Sequence, residues 1–228
     1  AVGISAAFNL LDGMDGLAAG VTAIAACWFI VLASLEGQRL VALLAAVVLG
    51  VSLGFLVYNW YPARVFMGDG GATLLGFMMA TLGLKVRVAE VPELVRWLVP
   101  VLVLGVPIFD TMLVIVSRLR RGLVPFASPG KDHTFHRLHE LGWDQRRVVW
   151  GLYGVSACLG AVPVGLVMLR APLLGWVAAA VVLGVIGAVG MAWLERLPFE
   201  RQCGITWGAM WNEVRGVRRA ARGSVNEE

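Results

Sequence analysis

Charged residues are scarce in this chain of 228 residues: 15% are Asp, Glu, Lys or Arg, against 59% that are hydrophobic. Because an ordinary soluble domain carries about 25% charged residues, this shortage excludes a typical water-soluble enzyme or binding protein. The chain has instead a series of apolar stretches, close to the roughly 20 residues that cross a bilayer, with short polar loops between them. The composition therefore predicts an all-α, polytopic transmembrane helical bundle.

Cysteine is rare as well, and the start of the chain has no basic leader. Cys27, Cys158 and Cys203 are too widely spaced to indicate a disulfide framework or a zinc site. Ala1 opens directly into apolar sequence without the cleavage site of a signal peptide, so we expect further sequence upstream. The net charge of +4 comes from cations in loops and in the tail, which suits an anionic membrane surface and argues against nucleic acid as a partner.

The apolar runs predict a partial first helix and six full spans, within a transmembrane catalytic domain of residues 1–194. A basic cytoplasmic tail, residues 195–228, follows. The partial helix ends near Leu11, and the spans are Leu17 to Leu35, Leu40 to Tyr58, Gly71 to Lys85, Trp97 to Arg118, Val148 to Leu169 and Leu173 to Leu194. The span that begins at Gly71 is short enough to be tilted or re-entrant.

Alternation of these spans sorts the loops into two sides that differ in charge. One side receives residues 12–16, 59–70 and 118–147 and the tail, with 14 of the 19 Lys and Arg residues, and the other side receives the remaining 5. Since loops rich in Lys and Arg stay in the cytoplasm, the first side is predicted to be cytoplasmic.

The first polar segment on that side, Asn9 to Gly20, carries two carboxylates three residues apart. If they are helical, Asp12 and Asp15 share one face, and Gly13 and Gly16 permit tight turns and close backbone approach to a ligand. Carboxylates at span ends need a cation, a metal or water, so they indicate a site. The alternative is that one of them only caps the helix that begins near Leu17.

The second segment, Tyr58 to Gly71, places Asp69 among glycines directly before a helix. Such a helix start offers backbone N–H groups to phosphate, and a carboxylate there suits Mg²⁺. A glycine-rich turn with Asp69 as the helix cap is the alternative. Phe66 is either a packing residue in the membrane or a surface on which a base stacks.

The third segment, Lys131 to His139, contains all the histidines of the chain. His133, His136 and Arg137 suit phosphate binding, because Arg offers a fixed fork of donors and His can carry a proton. A zinc site and a plain solvated loop are the alternatives, although neither cysteine nor a typical zinc spacing accompanies the histidines.

A further carboxylate, Asp110, lies inside the predicted span from Trp97. An acid there costs about 2.5 to 3.5 kcal/mol on insertion scales, so Asp110 is expected to face the bundle or a cavity. Contact with a substrate and contact with a neighbouring helix both remain open. Arg118, Arg120 and Arg121 are predicted to anchor the end of this span in lipid headgroups.

Four motifs in this order resemble those of the polyprenyl-phosphate N-acetylhexosamine-1-phosphate transferases, which initiate lipid-linked synthesis of peptidoglycan, teichoic acid and O-antigen. The resemblance covers most of the chain. It rests on Asn9-Leu-Leu-Asp12-Gly-Met-Asp15-Gly-Leu-Ala, on Asn59 through Phe66-Met-Gly68-Asp69, on Pro107-Ile-Phe-Asp110-Thr, and on Asp132-His133-Thr-Phe-His136-Arg137-Leu.

This resemblance implies a Mg²⁺-dependent phosphoryl transfer, with Mn²⁺ as a substitute, from a UDP-sugar to a polyprenyl phosphate in the plasma membrane, with UMP released on the cytoplasmic side. It implies a ten- or eleven-helix protein of which this chain is the C-terminal portion, and it leaves a homodimer open. The implied metal ligand is Asp69. The implied catalytic residues are Asp12, Asp15, Asp69, His133, His136 and Arg137, and the implied substrate-binding residues are Asn9, Asn59, Phe66, Gly68 and Asp110.

The chain departs from the family pattern at four places. Ala6 stands where the family often has Asn, Asp69-Gly-Gly-Ala72 replaces Asp-Thr-Gly-Ser, and Phe135 replaces a middle histidine. The family's paired aspartates lie upstream of Ala1, so we expect that this chain alone is catalytically incomplete.

The residues around Asn59 resemble the N-acetylglucosamine branch more than the branch that uses UDP-MurNAc-pentapeptide. The latter remains the alternative enzyme. A membrane transporter or a non-catalytic binding protein is the alternative from another class, since Asp110 and the glycine-rich breaks also suit translocation.

Overall fold

The structure is a computed structural model that describes residues 1–89, 91–124 and 132–197. These residues form helices joined by short loops, as predicted for an all-α protein. The helices are α1 (Val2–Leu11), α2 (Leu17–Leu35), α3 (Arg39–Asn59), α4 (Gly68–Lys85), α5 (Glu93–Arg96), α6 (Leu98–Val103), α7 (Gly105–Arg120), α8 (Thr134–Glu140), α9 (Gln145–Met168) and α10 (Leu173–Arg196). The predicted tail beyond residue 197, together with Lys131 and Cys203, lies outside the described residues.

Among the described residues, α2, α3, α9 and α10 are long and apolar enough to cross a membrane. An all-α protein with several membrane-spanning helices is therefore confirmed. The predicted span from Gly71 is helical and begins three residues earlier, at Gly68. Its status as a full span stays a prediction.

The predicted span from Trp97 to Arg118 is helical but is not one continuous helix. A break at Leu104 divides it into α6 and α7, and the short helix α5 ends just before Trp97. Proline lacks the N–H that a helix interior requires and clashes with the preceding turn. In a regular helix the N–H of residue 107 would bond the carbonyl of Val103, but Pro107 has no N–H. The break at Leu104, with φ −96° and ψ 23°, falls directly after that carbonyl.

Helix α2 is the centre of the bundle, because most of its side chains are small and buried. Close packing of its neighbours depends on glycine. A β-carbon at Gly20 of α2 would lie 1.9 Å from the hydroxyl oxygen of Tyr153 in α9, and one at Gly160 of α9 would lie 2.0 Å from the ring of Trp28 in α2. Interiors without voids do not accommodate such additions. The glycines thus let α2 and α9 interlock.

Helices α1 and α4 approach each other in the same way. Gly76 of α4 lies against the backbone of Ser5, and Phe8 of α1 is fully buried beside it. By contrast, α3 and α10 expose long rows of Val and Leu side chains on their outer faces. Rows of this kind suit contact with lipid, since a bilayer is the apolar solvent of a spanning helix.

The ends of the helices place the polar segments together. The C-terminal ends of α1, α3 and α7 and the N-terminal ends of α2, α4 and α9 meet at one end of the bundle, where hydrogen bonds join Asn9 to Asp69, Gly16 to Asn59, and Tyr153 to Gly16. The first two polar segments therefore lie on one side, as helix alternation predicts.

Changing Gly76 to Ala is expected to force α1 and α4 apart, because the new β-carbon would lie 2.7 Å from the Cα of Ser5. Overpacking of this kind costs about 1 to 3 kcal/mol. Thermal unfolding in detergent measures the loss. Gly54→Ala in α3 is the matched control, since nothing lies within 4 Å of its β-position, and an equal effect of both changes would contradict the packing argument.

Candidate functional site

The loop between α1 and α2, residues 12–16, is called the acid loop because it carries two of the predicted site carboxylates. Hydrogen bonds hold it at several points. The Gly16 N–H donates to Oδ1 of Asn59 at 2.9 Å, and the Ala63 N–H donates to Oδ2 of Asp15 at 3.0 Å. Asn59 in turn donates from Nδ2 to the carbonyl of Val65 at 2.9 Å. The first and second polar segments thus form one hydrogen-bonded unit, in which the buried Asn59 is the link.

Asp69 belongs to the same unit and lies in the first turn of α4, exposed to solvent. Its Oδ1 accepts a hydrogen bond from Nδ2 of Asn9 at 3.2 Å. Burial, followed by the charges of Asp69 and Asp15, raises the pKa of Asp12 to about 6. Three carboxylates therefore share one region, and their mutual repulsion would be relieved by a bound cation.

This donor set fits Mg²⁺ in the way that enzymes of phosphate chemistry hold it. Mg²⁺ is usually bound by one or two carboxylates together with waters and substrate phosphates, not by an all-protein cage. Among residues 1–89, 91–124 and 132–197, no group of three or more His, Cys, Asp or Glu side chains is arranged to hold a metal ion. Asp69 and Asp12 are the carboxylates best placed to contribute to such an incomplete shell.

The third segment meets α7 through Asp110. Its Oδ2 lies 2.7 Å from Nδ1 of His133, and its Oδ1 accepts the backbone N–H of Thr134 at 2.6 Å. Asp110 is buried, and both of its oxygens hold the first residues of α8. The sequence left open whether Asp110 contacts a substrate or a neighbouring helix, and the structure shows contact with the start of α8. A role of Asp110 in binding substrate stays a prediction.

Phe135, which replaces the family's middle histidine, connects the third segment to the first. Its ring is buried and packs so close to Gly13 that a β-carbon there would lie 2.5 Å from the ring. It stacks on His133 with centroids 5.3 Å apart and tilts against His136 at 4.5 Å. The acid loop and the histidines are therefore neighbours, with Phe135 between them.

Arg137 is fully buried, and its guanidinium donates to the carbonyls of Asp132 and Leu194 and to Oγ of Ser117. These bonds fasten α8 to α7 and to the end of α10. Burial lowers the pKa of Arg137, against the charges of Asp132 and Glu195, which raise it. The geometry gives Arg137 a role in holding α8, and its contact with phosphate stays a prediction.

Arg118 and Arg121 do not anchor α7 in lipid headgroups, contrary to the sequence interpretation. Arg118 is buried and contacts both oxygens of Asp132 at 2.8 Å, and Arg121 contacts the same carboxylate at 2.8 Å. Burial opposes ionisation of Asp132, but the hydrogen bonds and charge of Arg118, with a bond from Arg121, lower its pKa to about 2. Arg120 pairs with Glu195 of α10.

Phe66 and Gly68 lie at the edge of this arrangement. The Phe66 side chain is 75% exposed, so the core does not bury it, and it remains accessible to a stacked base or to lipid. Gly68 has a φ of +67° at the start of α4 and is open to solvent. Among the described residues, neither one joins the hydrogen bonds that unite Asn9, Asn59 and Asp69.

Sequence reasoning missed Tyr153 and the structural role of Asp132. Tyr153 donates its hydroxyl to the carbonyl of Gly16 across 137 residues of sequence. It lies within an apolar run, where nothing in its spacing marks it. Asp132 was noted only as part of a motif, although the two arginines fourteen and eleven residues before it could have suggested an ion pair.

We expect Asp12→Asn to raise the thermal stability of the protein at pH 7.5 in a buffer with a chelator, which removes any divalent cation. Because the folded pKa of Asp12 lies above its ordinary value, ionisation opposes folding: stability falls as the pH rises from about 4 through 6. The gain should therefore vanish below pH 4, where Asp12 is protonated in both states. Unfolding curves across pH measure it. Asp144→Asn, which removes an exposed carboxylate that does not act on the pKa of Asp12, should give no such gain.

Asp132→Asn is expected to destabilise the fold by about 3 to 5 kcal/mol, since it leaves buried cations without their carboxylate. In the unchanged protein, the stability contributed by Asp132 is complete above its ordinary pKa of 3.8 and is lost as the pH falls through about 2. Unfolding in detergent and protease sensitivity of α8 report the effect. Asp144→Asn, on an exposed residue, is the control, and equal losses would refute the ion-pair account.

The sequence of this chain is similar to a known protein family and to individual enzymes. Residues 1–87 match glycosyl transferase family 4. The chain is 41% identical over 152 residues to a probable undecaprenyl-phosphate N-acetylglucosaminyl 1-phosphate transferase of Bacillus subtilis, covering 67% of this chain and 42% of the relative. It is 39% identical over 170 residues to a decaprenyl-phosphate N-acetylglucosaminephosphotransferase of Mycobacterium leprae, with the same coverage.

A phospho-N-acetylmuramoyl-pentapeptide-transferase of Anoxybacillus flavithermus is 36% identical over 167 residues, with 70% of this chain and 48% of the relative covered. The chain thus spans less than half the length of these curated relatives. The resemblance predicted from the motifs is confirmed by the match of residues 1–87 to glycosyl transferase family 4 and by the similarity to these transferases.

Proposed function

We propose that the protein transfers N-acetylglucosamine-1-phosphate from a UDP-sugar to a polyprenyl phosphate and releases UMP. The observation that carries this proposal is the meeting of Asp12, Asp15 and Asp69 with the Asp110–His133 pair at one end of an apolar bundle. A soluble nucleotide sugar and a membrane-bound phosphate can reach each other only at such an end. Loop charge supports a cytoplasmic location for it, on the plasma membrane.

In the proposed reaction, a phosphate oxygen of the lipid forms a bond to the β-phosphorus of the UDP-sugar. The bond from that phosphorus to the oxygen bridging it to the α-phosphorus breaks, and its electron pair leaves with UMP. Phosphoryl transfer needs positioning and charge neutralisation more than covalent help from the protein. When bound, Mg²⁺ would neutralise phosphate charge, with Asp69 and Asp12 as its protein ligands.

The protein's own residues would then orient the reactants. A hydrogen bond donated to Asn59 by Gly16 and one donated by Ala63 to Asp15 hold the loop that also carries Asp12, which limits the freedom lost on binding. The Asp110 carboxylate fixes the His133 ring through Nδ1, leaving Nε2 as the atom that would meet a phosphate. The exposed Phe66 ring would stack on the uracil.

Sugar choice is proposed from similarity. Identity is 39 to 41% to the relatives named for N-acetylglucosamine and 36 to 38% to the pentapeptide transferases. UDP-N-acetylglucosamine is therefore the expected donor, and the homodimer remains a prediction.

Exchange of labelled UMP into UDP-N-acetylglucosamine, in membranes that contain the full-length protein and polyprenyl phosphate, tests this function. Exchange should require the lipid and fall about 100-fold or more in Asp69→Asn, the scale of losing one preorganised electrostatic group. Asp144→Asn, exposed at the start of α9, should leave it unchanged. Exchange only with UDP-MurNAc-pentapeptide would favour the other branch, and transport without exchange would overturn the proposal.

A further inference from the structure

Tyr153 of α9 makes a buried contact that the proposed reaction has not used. Its side chain is 7% exposed, and its hydroxyl donates to the carbonyl oxygen of Gly16, the residue that ends the acid loop. The same carbonyl accepts the N–H of Gly20 at 2.9 Å, the first hydrogen bond of α2. Tyr153 thus forms a hydrogen bond at the junction between the loop and α2.

Two glycines make this contact sterically available. Gly20 lacks the β-carbon that would lie 1.9 Å from the Tyr153 hydroxyl oxygen, so the ring can lie directly on the first turn of α2. Gly16 has a φ of +78°, a left-handed conformation that side chains with a β-carbon rarely adopt. The acid loop, the helix start and the tyrosine therefore fit one another.

Gly16 is held from both sides, because its N–H donates to Asn59 and its carbonyl accepts from Tyr153. These groups belong to the peptide units on either side of Gly16, and the first of them includes the carbonyl of Asp15. The Asp15 carboxylate is held separately by Ala63. With both peptide units and its carboxylate held, the direction of Asp15 is restricted before any ligand binds, and so is the end of the loop that also carries Asp12.

We propose that Tyr153 is a positioning residue that pre-orders the acid loop for a nucleotide diphosphate and its divalent cation. This role rests on the proposed function, since it assumes that Asp12 and Asp15 act on such a ligand. Tyr153 does not touch the reactants. It acts through Gly16, so its loss should leave the carboxylates present but less well ordered.

Tyr153→Phe removes the hydroxyl and keeps the ring in its packing. Ser156→Ala is the matched control, because Ser156 lies one turn further along α9 and its buried Oγ has no hydrogen-bond partner among the described residues. Gly20→Ala tests the same contact from α2, since its new methyl group would displace the tyrosine ring.

The first measurement is hydrogen exchange of the full-length protein, which needs no ligand. Peptides that contain residues 12–20 should exchange faster in Tyr153→Phe and Gly20→Ala, and at the unchanged rate in Ser156→Ala. The second is the exchange reaction as Mg²⁺ is varied. The Mg²⁺ concentration at half-saturation should rise about fivefold to tenfold, which is the effect of one lost hydrogen bond. A variant that only folded less completely would show a lower rate at the same half-saturating concentration.

The outcomes separate the two proposals. If the unchanged protein catalyses no exchange, the proposed function fails, and the inference about Tyr153 as a positioning residue fails with it. If exchange occurs but Tyr153→Phe keeps the original half-saturation and amide protection, the positioning role is overturned while the function stands. Equal shifts in Ser156→Ala would overturn it too, because they would show a general response of α9.

Discussion

Carboxylates at the ends of apolar helices need hydrogen-bond donors or cations as partners, and this structure depends on meeting that need. An acid near a bilayer is costly unless donors or cations meet it. Asp15 receives the Ala63 N–H, Asp110 receives His133 and Thr134, and Asp132 receives two arginines. Asp12 differs, because burial and its acidic neighbours raise its pKa. That contrast makes the vicinity of Asp12 the place where an external cation would stabilise the protein most.

The general outline of the site could be predicted from the sequence, because helix alternation and charge are global properties of the chain. Spans of suitable length carry Asn9, Asn59 and Asp69 to one end whatever the details of side-chain packing, and the structure joins them by hydrogen bonds. The boundaries of α2 could be predicted as well, since Gly16 and Glu36 stand at the two ends of an uninterrupted apolar run.

Details that depend on contacts between distant residues could not be predicted in this way. The bond from Tyr153 to Gly16 joins residues 137 positions apart, and the pairing of Arg118 with Asp132 depends on how the segment after α7 folds back. An arginine at the end of a span has the same sequence pattern whether it faces headgroups or a buried acid. The break at Leu104 depends on how Pro107 disrupts the turn before it, which hydropathy does not measure.

Phe135, where the family resemblance predicts a histidine, contributes packing to this segment in place of a polar group. A histidine there would bring another polar group to the site, whereas the phenylalanine ring fills the space beside Gly13 and lies against His133 and His136. Apolar packing thus holds the acid loop and the histidine segment together. Because the ring donates no hydrogen bond, handling of phosphate in this segment would fall to His133, which Asp110 orients, and to the half-buried His136. Packing and hydrogen bonding are therefore divided among neighbouring residues of this segment.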